Sequence, residues 1–474
     1  MRSLPKKPIS KGFIRSPVQT KVFMKISKSI RSLTVVAFTC LGLVGCGNDE
    51  KSENRIAVEN AVKEAMKLDR DALFQKAADE LQDGTFKWVG CSSRAKKAAD
   101  AFKKKLVEKN PKCENATFVW DVLDDGHIYT KLVGDINAEV DDGYDGALVQ
   151  DGYQLALYGD QFVNYVPKEW EGDKSVNGDP FALQFNFKTW LVNDSDGEQV
   201  IPDNVWDFLD TGKVIHSMDP NNENVNRDWL IMLTKDENNN MLKEAWNALT
   251  DAEKAAKVSK PDDFADKGDK KYAYAFISGY IKNAQFKKDD GEAVNNFAVK
   301  SAKGNYAWIV YSKMMNLKES DEVSKSYIVS PSLGKDIEDG NNAVMKMKGF
   351  SGFMYKHYLQ VMPTSKHPYT TCALINLLST TPEGYKGWAV DIGDYPTMAS
   401  ININRTKFGH GTLDAEKKYT QKDSDPNLFP VMNDPTGEWW TSKTGGRAIV
   451  EEPSYIGDHY DEVNNFIVAE TGKK

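Results

Sequence analysis

Three polar residues, Ser92, Ser93 and Arg94, follow the first predicted strand directly. Two hydroxyl groups, with the unpaired backbone N–H groups at a helix start, could bind an anion or a sugar oxygen. A cation at a helix N-terminus opposes the helix dipole by about 0.3 to 1 kcal/mol, so a bound anion would explain Arg94. A capping serine and a solvated arginine explain the same residues equally well.

Polar side chains also follow the third predicted strand and line one face of a later extended run. Gln150 and Asp151 come directly after the strand, and they could hydrogen-bond a polar ligand or cap the next helix. In the extended run, Gln184, Asn186 and Lys188 alternate with aromatic residues, so they share one strand face. That face could line a ligand cleft or lie in solvent.

Two further pairs complete the set of candidate ligand contacts. Asn224 and Asn226 lie in an asparagine-rich segment before an apolar helix, where they could reach a ligand or form a turn and a cap. Ser312 and Lys313 end another buried strand. If the strand ends face each other, these two residues converge with the first loop on an anionic group.

Two tryptophans offer a different ligand chemistry. Trp190 and Trp206 could stack on the face of a sugar ring, although a tryptophan is more often a core residue. Carbohydrate binding therefore stays open as an alternative.

The sequence lacks the common catalytic motifs. The six histidines form no HExxH zinc motif, and GxSxG, GxxxxGK and GxGxxG do not occur. Asp125 and His127 could form an acid–base pair, but a helix start with Asp125 as its cap explains both. The sequence therefore predicts a protein that is not an enzyme and needs no metal or cofactor, with a hydrolase as the alternative.

The elements that would position these residues alternate between strand and helix. Strand-like segments at 86–91, 116–122 and 146–150 are separated by amphipathic helical segments, which predicts a parallel βαβαβ sheet. One helix is expected before them, over residues 57–82. Ligands bind at the carboxyl ends of strands in such sheets. The extended run at 181–192 is expected to cross between two lobes.

The three cysteines of the body are predicted to be buried apolar residues. Cys91 would end one strand and Cys113 would precede a parallel neighbour, so the two would lie at opposite ends of the sheet. That separation is too large for a disulfide. Cys372 falls in a predicted helix.

The N-terminal region has the pattern of an export signal. Three basic residues precede an apolar run at 33–44, which is too short for a stable membrane span. Met24 is expected to be the natural start, with residues 1–23 as an extension and 24–45 as the signal peptide. Residues 46–58 would then form a polar linker.

The last residues of the signal, Leu43, Val44 and Gly45, together with Cys46, resemble the lipobox of bacterial lipoproteins. The resemblance implies that Cys46 becomes the N-terminus and carries acyl chains, palmitate among them; an ordinary secretory signal is the alternative. Residues 1–45 hold nine lysines and arginines and no acidic residue, so their removal takes the formal charge from −8 to −17. A chain this acidic has no general attraction for nucleic acid.

The body of the chain resembles a known family. The segments DDGHIYTKL, ALVQDGYQL, FALQFNFKTWLVN, DPNNENVNRDWLIML and SKHPYTTCALINLLSTTPEGYKGWAVDIGDYPT are similar to the extracellular solute-binding lipoproteins of bacterial ABC importers. The similarity covers roughly residues 60–400, is strongest over 365–397, and is closest to the ferric or anion-type group. Ferric-binding members hold iron through adjacent tyrosines, and no Tyr-Tyr pair occurs here, which argues against iron.

The resemblance implies an α/β, two-lobed type II periplasmic-binding-protein fold. Each lobe would be a mostly parallel sheet flanked by helices, joined by crossing hinge strands. Lobe 1 would comprise 59–182 and about 340–396, and lobe 2 would comprise 183–339 and about 397–474.

The function that the resemblance implies is capture of a small polar solute between the lobes and its delivery to an ABC permease. The cationic candidates favour an anionic solute. The chain would be a monomer that is lipid-anchored on the outer face of the bacterial cytoplasmic membrane. A surface-anchored hydrolase and a ferric-ion or carbohydrate binding protein are the alternatives.

Overall fold

The computed structural model describes residues 51–194, 202–313, 327–329, 335–338, 342–345, 347–388, 394–401, 438–441 and 448–473. The predicted signal peptide and Cys46 lie outside the described residues.

The first part of the chain alternates helices and strands, as the sequence predicts. Ser52 and Asp69 cap the first two helices by accepting hydrogen bonds from the backbone of Arg55 and Ala72. The elements are α1 (Glu53–Ala65), α2 (Arg70–Leu81), β1 (Thr85–Gly90), α3 (Ala99–Lys109), β2 (Thr117–Val122), α4 (Asp125–Asn137), β3 (Gly146–Val149) and α5 (Gly152–Tyr158). The single helix predicted over 57–82 is therefore wrong, because the chain turns at 66–69 and restarts.

The middle part begins with a long strand and continues with a helix-rich region. Its elements are α6 (Lys174–Asn177), β4 (Ala182–Asp194), β5 (Ile215–Met218), α7 (Asn224–Met232), α8 (Asp236–Asn247), α9 (Asp251–Ala256), α10 (Lys271–Asn283), β6 (Ala284–Lys287), α11 (Asp290–Phe297), β7 (Tyr306–Val310), β8 (Tyr327–Val329), β9 (Lys335–Glu338) and β10 (Asn342–Met345).

The last part returns along the sheet and ends in a long helix. Its elements are β11 (Gly352–Val361), α12 (Pro368–Thr380), α13 (Pro382–Tyr385), β12 (Tyr395–Pro396), α14 (Glu438–Thr441), β13 (Ile449–Val450) and α15 (Pro453–Thr471). Helix α15 packs against α5, α7 and α10.

One mixed sheet connects the parts, in the order β2-β1-β3-β11-β4-β7-β5-β6. The pairs of β1 with β2 and β3 are parallel, as are those of β5 with β6 and β7. Strand β11 is antiparallel to both β3 and β4. The α/β class and the parallel βαβαβ unit are confirmed, with two antiparallel strands joining the parallel segments.

Separate hydrophobic clusters lie on the two sides of this junction. The first core packs α2, α3 and α12 against the start of the sheet through residues such as Leu73, Phe86, Phe102 and Leu374. The second core packs α7, α8, α10 and α15 against β4, β5 and β7 through residues such as Trp190, Trp229, Phe276 and Trp308. The exact lobe boundaries stay a prediction.

Candidate functional site

The strands β4 and β11 lie side by side at the junction between the two cores. Their register pairs Gln184 with His357, Asn186 with Tyr355 and Lys188 with Phe353. Because side chains alternate along a strand, all these residues project from one face of the sheet. This face is buried, so the interpretation of Gln184, Asn186 and Lys188 as a solvated strand face is wrong.

A chain of hydrogen bonds crosses this face at His357. Its Nδ1 atom is 3.0 Å from Gln184 Nε2, and its Nε2 atom is 2.6 Å from Gln150 Oε1. An amide nitrogen can only donate and an amide oxygen can only accept, so His357 carries its proton on Nε2. Burial first, and then the charge of Arg94, lowers the pKa of His357 to about 3. His357 is therefore a neutral imidazole that connects the end of β3 to β4.

Arg94 binds a carboxylate of the protein. Its Nη1 atom donates to Asp394 Oδ2, and the Asp394 side chain is fully buried whereas that of Arg94 is 28% exposed. Asp394 also accepts from Gln184 Nε2 at 3.5 Å. The structure thus explains the cation in the first loop without an anionic ligand.

The two serines before Arg94 differ in their roles. Ser92 caps the short 3₁₀ helix Ser93–Ala98 by accepting a hydrogen bond from the Arg94 N–H at 3.3 Å. Ser93 is exposed at the first position of that helix. The capping interpretation is confirmed for Ser92, and a ligand role for Ser93 stays a prediction.

Lys188 connects the crossing strand to the second core. Its Nζ atom is 3.2 Å from Glu223 Oε1 and 3.7 Å from Asp290 Oδ1, and its side chain is 1% exposed. Glu223 also caps α7 by accepting from the Asn226 N–H. Burial raises the pKa of Glu223, Lys188 lowers it, and Asp290 raises it. Lys188 therefore faces two carboxyl groups.

Two predicted residues from different parts of the chain meet beside this face. Asn224 Nδ2 donates to Asp151 Oδ2, and Asp151 Oδ1 accepts from the Gln154 N–H at 3.1 Å, which makes Asp151 the cap of α5. Burial raises the pKa of Asp151 to about 7. Asp151 thus combines the predicted capping role with a contact across the junction.

Asn226 and the residues after β7 have other surroundings. The Asn226 amide donates to the Met218 carbonyl at 2.9 Å and to Ser217 Oγ at 3.2 Å, so its amide nitrogen holds the turn between β5 and α7. Ser312 is buried and Lys313 is half-buried. Their convergence with Arg94 stays a prediction.

The two tryptophans proposed for sugar stacking have structural explanations. Trp190 stacks on Phe208 with ring centroids 4.2 Å apart, and Trp206 donates from Nε1 to the Leu242 carbonyl at 2.9 Å. Both tryptophans are fully buried in the second core, so the prediction that they are core residues is confirmed and the alternative of sugar stacking is wrong.

The helix start predicted at Asp125 and His127 is present, with its cap one residue earlier. Asp124 caps α4 and accepts from the His127 N–H at 3.1 Å, while His127 Nδ1 lies 2.6 Å from the same oxygen. Asp124 rather than Asp125 is the cap. Both Asp124 and His127 are exposed, which favours the capping interpretation.

The prediction of three buried cysteines is wrong for Cys91, which is only half-buried. Cys113 and Cys372 are buried and take part in no disulfide. In the described ranges, no group of three or more His, Cys, Asp or Glu side chains is arranged to hold a metal ion. None of the described helices is both long and apolar enough to span a membrane.

Several residues on or beside the polar face of β4 and β11 were not predicted from the sequence. Tyr355 and His357 lie two positions apart in FSGFMYKHYLQV, but Lys356 between them breaks the alternation of polar and apolar residues, so the period-2 test that singled out Gln184 does not find them. Asp394, Glu223 and Asp290 carry no local signal, because only the tertiary fold brings them to the crossing strands.

The chain is similar to several solved structures at low sequence identity. No family model and no curated protein matches it. Iron-bound HitA from Pseudomonas aeruginosa shares 11% identity and a TM-score of 0.49, over 81% of this chain and 99% of that one. The Atu4243-GABA receptor shares 13% sequence identity with a TM-score of 0.46, over 82% of this chain and 98% of that one.

A third similar structure is AgtB from A. tumefaciens R10 in complex with agropinic acid. It shares 11% identity at a TM-score of 0.44, over 82% of this chain and 98% of that one. At such identities and scores, a likeness does not identify a function.

Proposed function

We propose that the chain is the substrate-binding component of an ABC import system, which captures a small polar solute and delivers it to a membrane permease. The observation that carries the proposal is the buried polar face of β4 and β11, at the junction of the two cores. Gln150 approaches this face from the side of the first core and contacts His357 there. Glu223 and Asp290 approach it from the side of the second core.

A ligand at this junction would touch both sides at once, which is the requirement for ligand-dependent closure. A solute stabilises a closed form only when it makes more favourable contacts there than in the open form. Strands that cross between two separately packed regions are suited to act as a hinge. The architecture therefore supports capture by closure around the polar face.

The contacts of the cations bear on the charge of the solute. Arg94 is paired with Asp394, and Lys188 faces Glu223 and Asp290. An anionic solute would have to compete with these carboxylates for both cations. The rest of the face consists of amides, a neutral imidazole and the rings of Tyr355 and Phe353. These contacts favour a solute recognised mainly by hydrogen bonds over the anion that the sequence predicts.

The ligand class is tested by a thermal-shift panel on the purified protein. The panel contains neutral sugars, organic acids, sugar phosphates, polyamines and ferric citrate. A ligand at 100 times its Kd raises the free energy of unfolding by about 2.7 kcal/mol. Stabilisation by a neutral polar solute supports the proposal, whereas stabilisation by sugar phosphates alone restores the anionic prediction.

A second measurement separates binding from catalysis. The stabilising compound is incubated with the protein for several hours, extracted and analysed by mass spectrometry. A binding protein returns the compound unchanged. Turnover would contradict the proposal and favour the hydrolase.

We further propose that the protein is a monomer anchored through acyl chains on Cys46 at the outer face of the cytoplasmic membrane. The support is the apolar run before the cysteine and the acidic charge of the remaining chain. Metabolic labelling with a palmitate analogue in a bacterial host is expected to mark the wild type and not Cys46→Ser. Equal labelling of both would contradict the assignment of the anchor to Cys46.

A further inference from the structure

Three carboxyl groups from distant segments meet where α5 packs against α7 and α15. Asp151 lies in the turn between β3 and α5, Asp228 lies within α7, and Glu451 lies between β13 and α15. Their exposed fractions are 0%, 0% and 6%. An ionised carboxylate is rarely buried to this extent without a cationic partner, because burial removes its hydration.

Gly152 marks the point at which two of these groups approach each other. The Gly152 N–H donates to Asp228 Oδ2 at 2.8 Å. A Cβ atom at Gly152 would lie 3.3 Å from the same Asp228 oxygen, 3.1 Å from Glu451 Oε1 and 2.9 Å from Ile456 Cδ1. Carboxyl oxygens from α7 and from the segment before α15 therefore border the same glycine of α5.

Each of these two groups keeps one oxygen with no hydrogen-bond partner in the part of the chain that the structure describes. Glu451 Oε2 accepts from the Tyr358 hydroxyl at 3.3 Å, whereas Glu451 Oε1 and Asp228 Oδ1 have no partner there. Such buried, unpartnered oxygens are costly for a carboxylate. A protonated carboxyl could instead donate to its neighbour.

The cations near the cluster are engaged elsewhere. Arg227 of α7 donates to the carbonyls of Pro220 and Asn221, to Asn224 and to the Tyr460 hydroxyl. Lys356 of β11 donates from Nζ to the Val176 carbonyl at 2.8 Å. Across the described residues, no ion pair joins either cation to the three carboxyls. The other titratable neighbours are phenols: Tyr129 of α4, Tyr153 of α5 and Tyr358 of β11.

The backbone at Asp151 is held in an unusual conformation beside this cluster. Its φ angle is 94°, in a region that an aspartate rarely adopts and that stores strain. The rings of Tyr153 and Tyr460 stack with centroids 3.4 Å apart, which joins α5 to α15 directly. The cluster therefore lies inside a tight contact between segments that belong to different parts of the sheet.

We propose that Asp151, Asp228 and Glu451 form a proton-dependent latch that holds α5 against α7 and α15. While the cluster retains protons, each protonated carboxyl can donate to a neighbouring carboxylate. When these protons pass to solvent, three negative charges repel one another across the contact, and α5 separates from α7 and α15. The latch gives the fold a pH response that does not depend on which solute the protein binds.

The pH range follows from the buried carboxyls. Burial raises the pKa of Asp151 to about 7 and that of Glu451 to about 8. Burial, followed by the charges of Asp151 and Glu451, also raises the pKa of Asp228. A raised pKa means that the folded protein keeps protons that the unfolded chain has lost, so stability falls as the pH rises from about 4 to about 8.

Hydrogen exchange measured without ligand tests the latch in the purified protein. The amides of α5 are followed from pH 5.5 to 8.5, with correction for the intrinsic pH dependence of exchange. For each proton that opening releases, the opening constant of α5 is expected to rise about tenfold per pH unit. Asp228→Asn and Glu451→Gln keep the side-chain shapes and remove one charge each, so each variant is expected to flatten this rise.

The control is Asp83→Asn, which removes an exposed carboxyl in the turn after α2 and is expected to keep the wild-type slope. Should Asp228→Asn fail to fold, Glu451→Gln carries the same test. A wild-type slope in both cluster variants, or no slope in the wild type, would overturn the latch. Either result leaves the proposed capture of a solute standing, because no ligand is present.

Discussion

Arg94 and Asp394 form an ion pair in which only one partner is buried completely. Taking a carboxylate out of water costs several kcal/mol, and the attraction of a nearby cation offsets that cost. Losing Arg94 should therefore cost more stability than losing Asp394, since the guanidinium keeps partial access to water whereas the carboxylate does not. The pair orients Gln184, which in turn contacts His357.

Replacing Arg94 with methionine is expected to lower the free energy of unfolding by about 1–3 kcal/mol, because the fully buried Asp394 carboxylate loses its charge partner; Asp394→Asn is expected to cost less, since Arg94 keeps partial access to water. Urea unfolding of wild type, Asp394→Asn, Arg94→Met and the double variant gives the coupling energy of the pair. Lys104→Met is the control, because it breaks the exposed contact with Glu108 at 4.0 Å and should change stability by at most about 1 kcal/mol. A coupling energy near zero would contradict the argument.

His357 is expected to make the protein sensitive to acid. Burial lowers its pKa to about 3 from the ordinary 6.5. As the pH falls, the unfolded chain therefore binds a proton that the folded protein does not bind. The stability present above pH 6.5 is lost as the pH falls from about 6.5 to 3. Between pH 7 and 4, thermal melting should show that acidification changes the stability of His357→Gln in a less unfavourable direction than that of the wild type, since the buried carboxyls contribute equally to both. The exposed His127→Gln serves as control, and equal changes in all three proteins would contradict the assignment.

At the scale of elements, helix starts show what the sequence can and cannot predict. The apolar residues over 57–82 keep helical spacing through the turn at 66–69, so periodicity alone predicts one helix. The signal of the break is Asp69, whose side chain accepts from the Ala72 N–H at 2.9 Å. A cap residue inside a periodic segment is therefore stronger evidence than the period itself.

Strand pairing depends on long-range as well as local information. Alternation along 181–192 correctly places Gln184, Asn186 and Lys188 on one face of β4. Which strands lie beside β4 depends on residues more than 100 positions away, and no local pattern reports that choice. The sequence thus predicts the face of the candidate site but not the carboxyl groups that complete it.

The packing of α5 against α15 depends on a residue without a side chain. A Cβ atom at Gly152 would come within 2.9 Å of Ile456 Cδ1, the end of a buried side chain that would have to shift, so Gly152→Ala is expected to cost about 1 kcal/mol of stability through overpacking. A Cβ atom at Gly134 of α4 would have no neighbouring atom within 4 Å, so Gly134→Ala is expected to stabilise by about 0.5–1 kcal/mol. Urea unfolding measures the free energy of unfolding of both variants. If both lose stability, the close approach at Gly152 does not explain the loss in Gly152→Ala.

At the scale of the whole molecule, the polar face matters because residues from both cores reach it. Lys188 extends from β4 to Glu223 before α7, while Gln150 contacts His357 from the side of the first core. Two apolar cores could be joined at lower free-energy cost by apolar residues, since buried ion pairs are often no more stable than hydrophobic replacements. Retention of charged and amide groups at this junction therefore favours a role in binding.

A solute that binds between the cores must lose affinity when either side is altered. Gln150→Ala on one side and Glu223→Gln on the other are each expected to weaken binding of the compound selected by the thermal-shift panel about tenfold, which corresponds to about 1.4 kcal/mol. Isothermal titration calorimetry measures both variants beside Gln75→Ala, which removes an exposed glutamine from α2 and should bind like the wild type. If only one of the two site variants loses affinity, the solute is held by one side alone. Binding would then provide no differential contact to close the other side, and the proposed mechanism of capture would fail even though a ligand had been found.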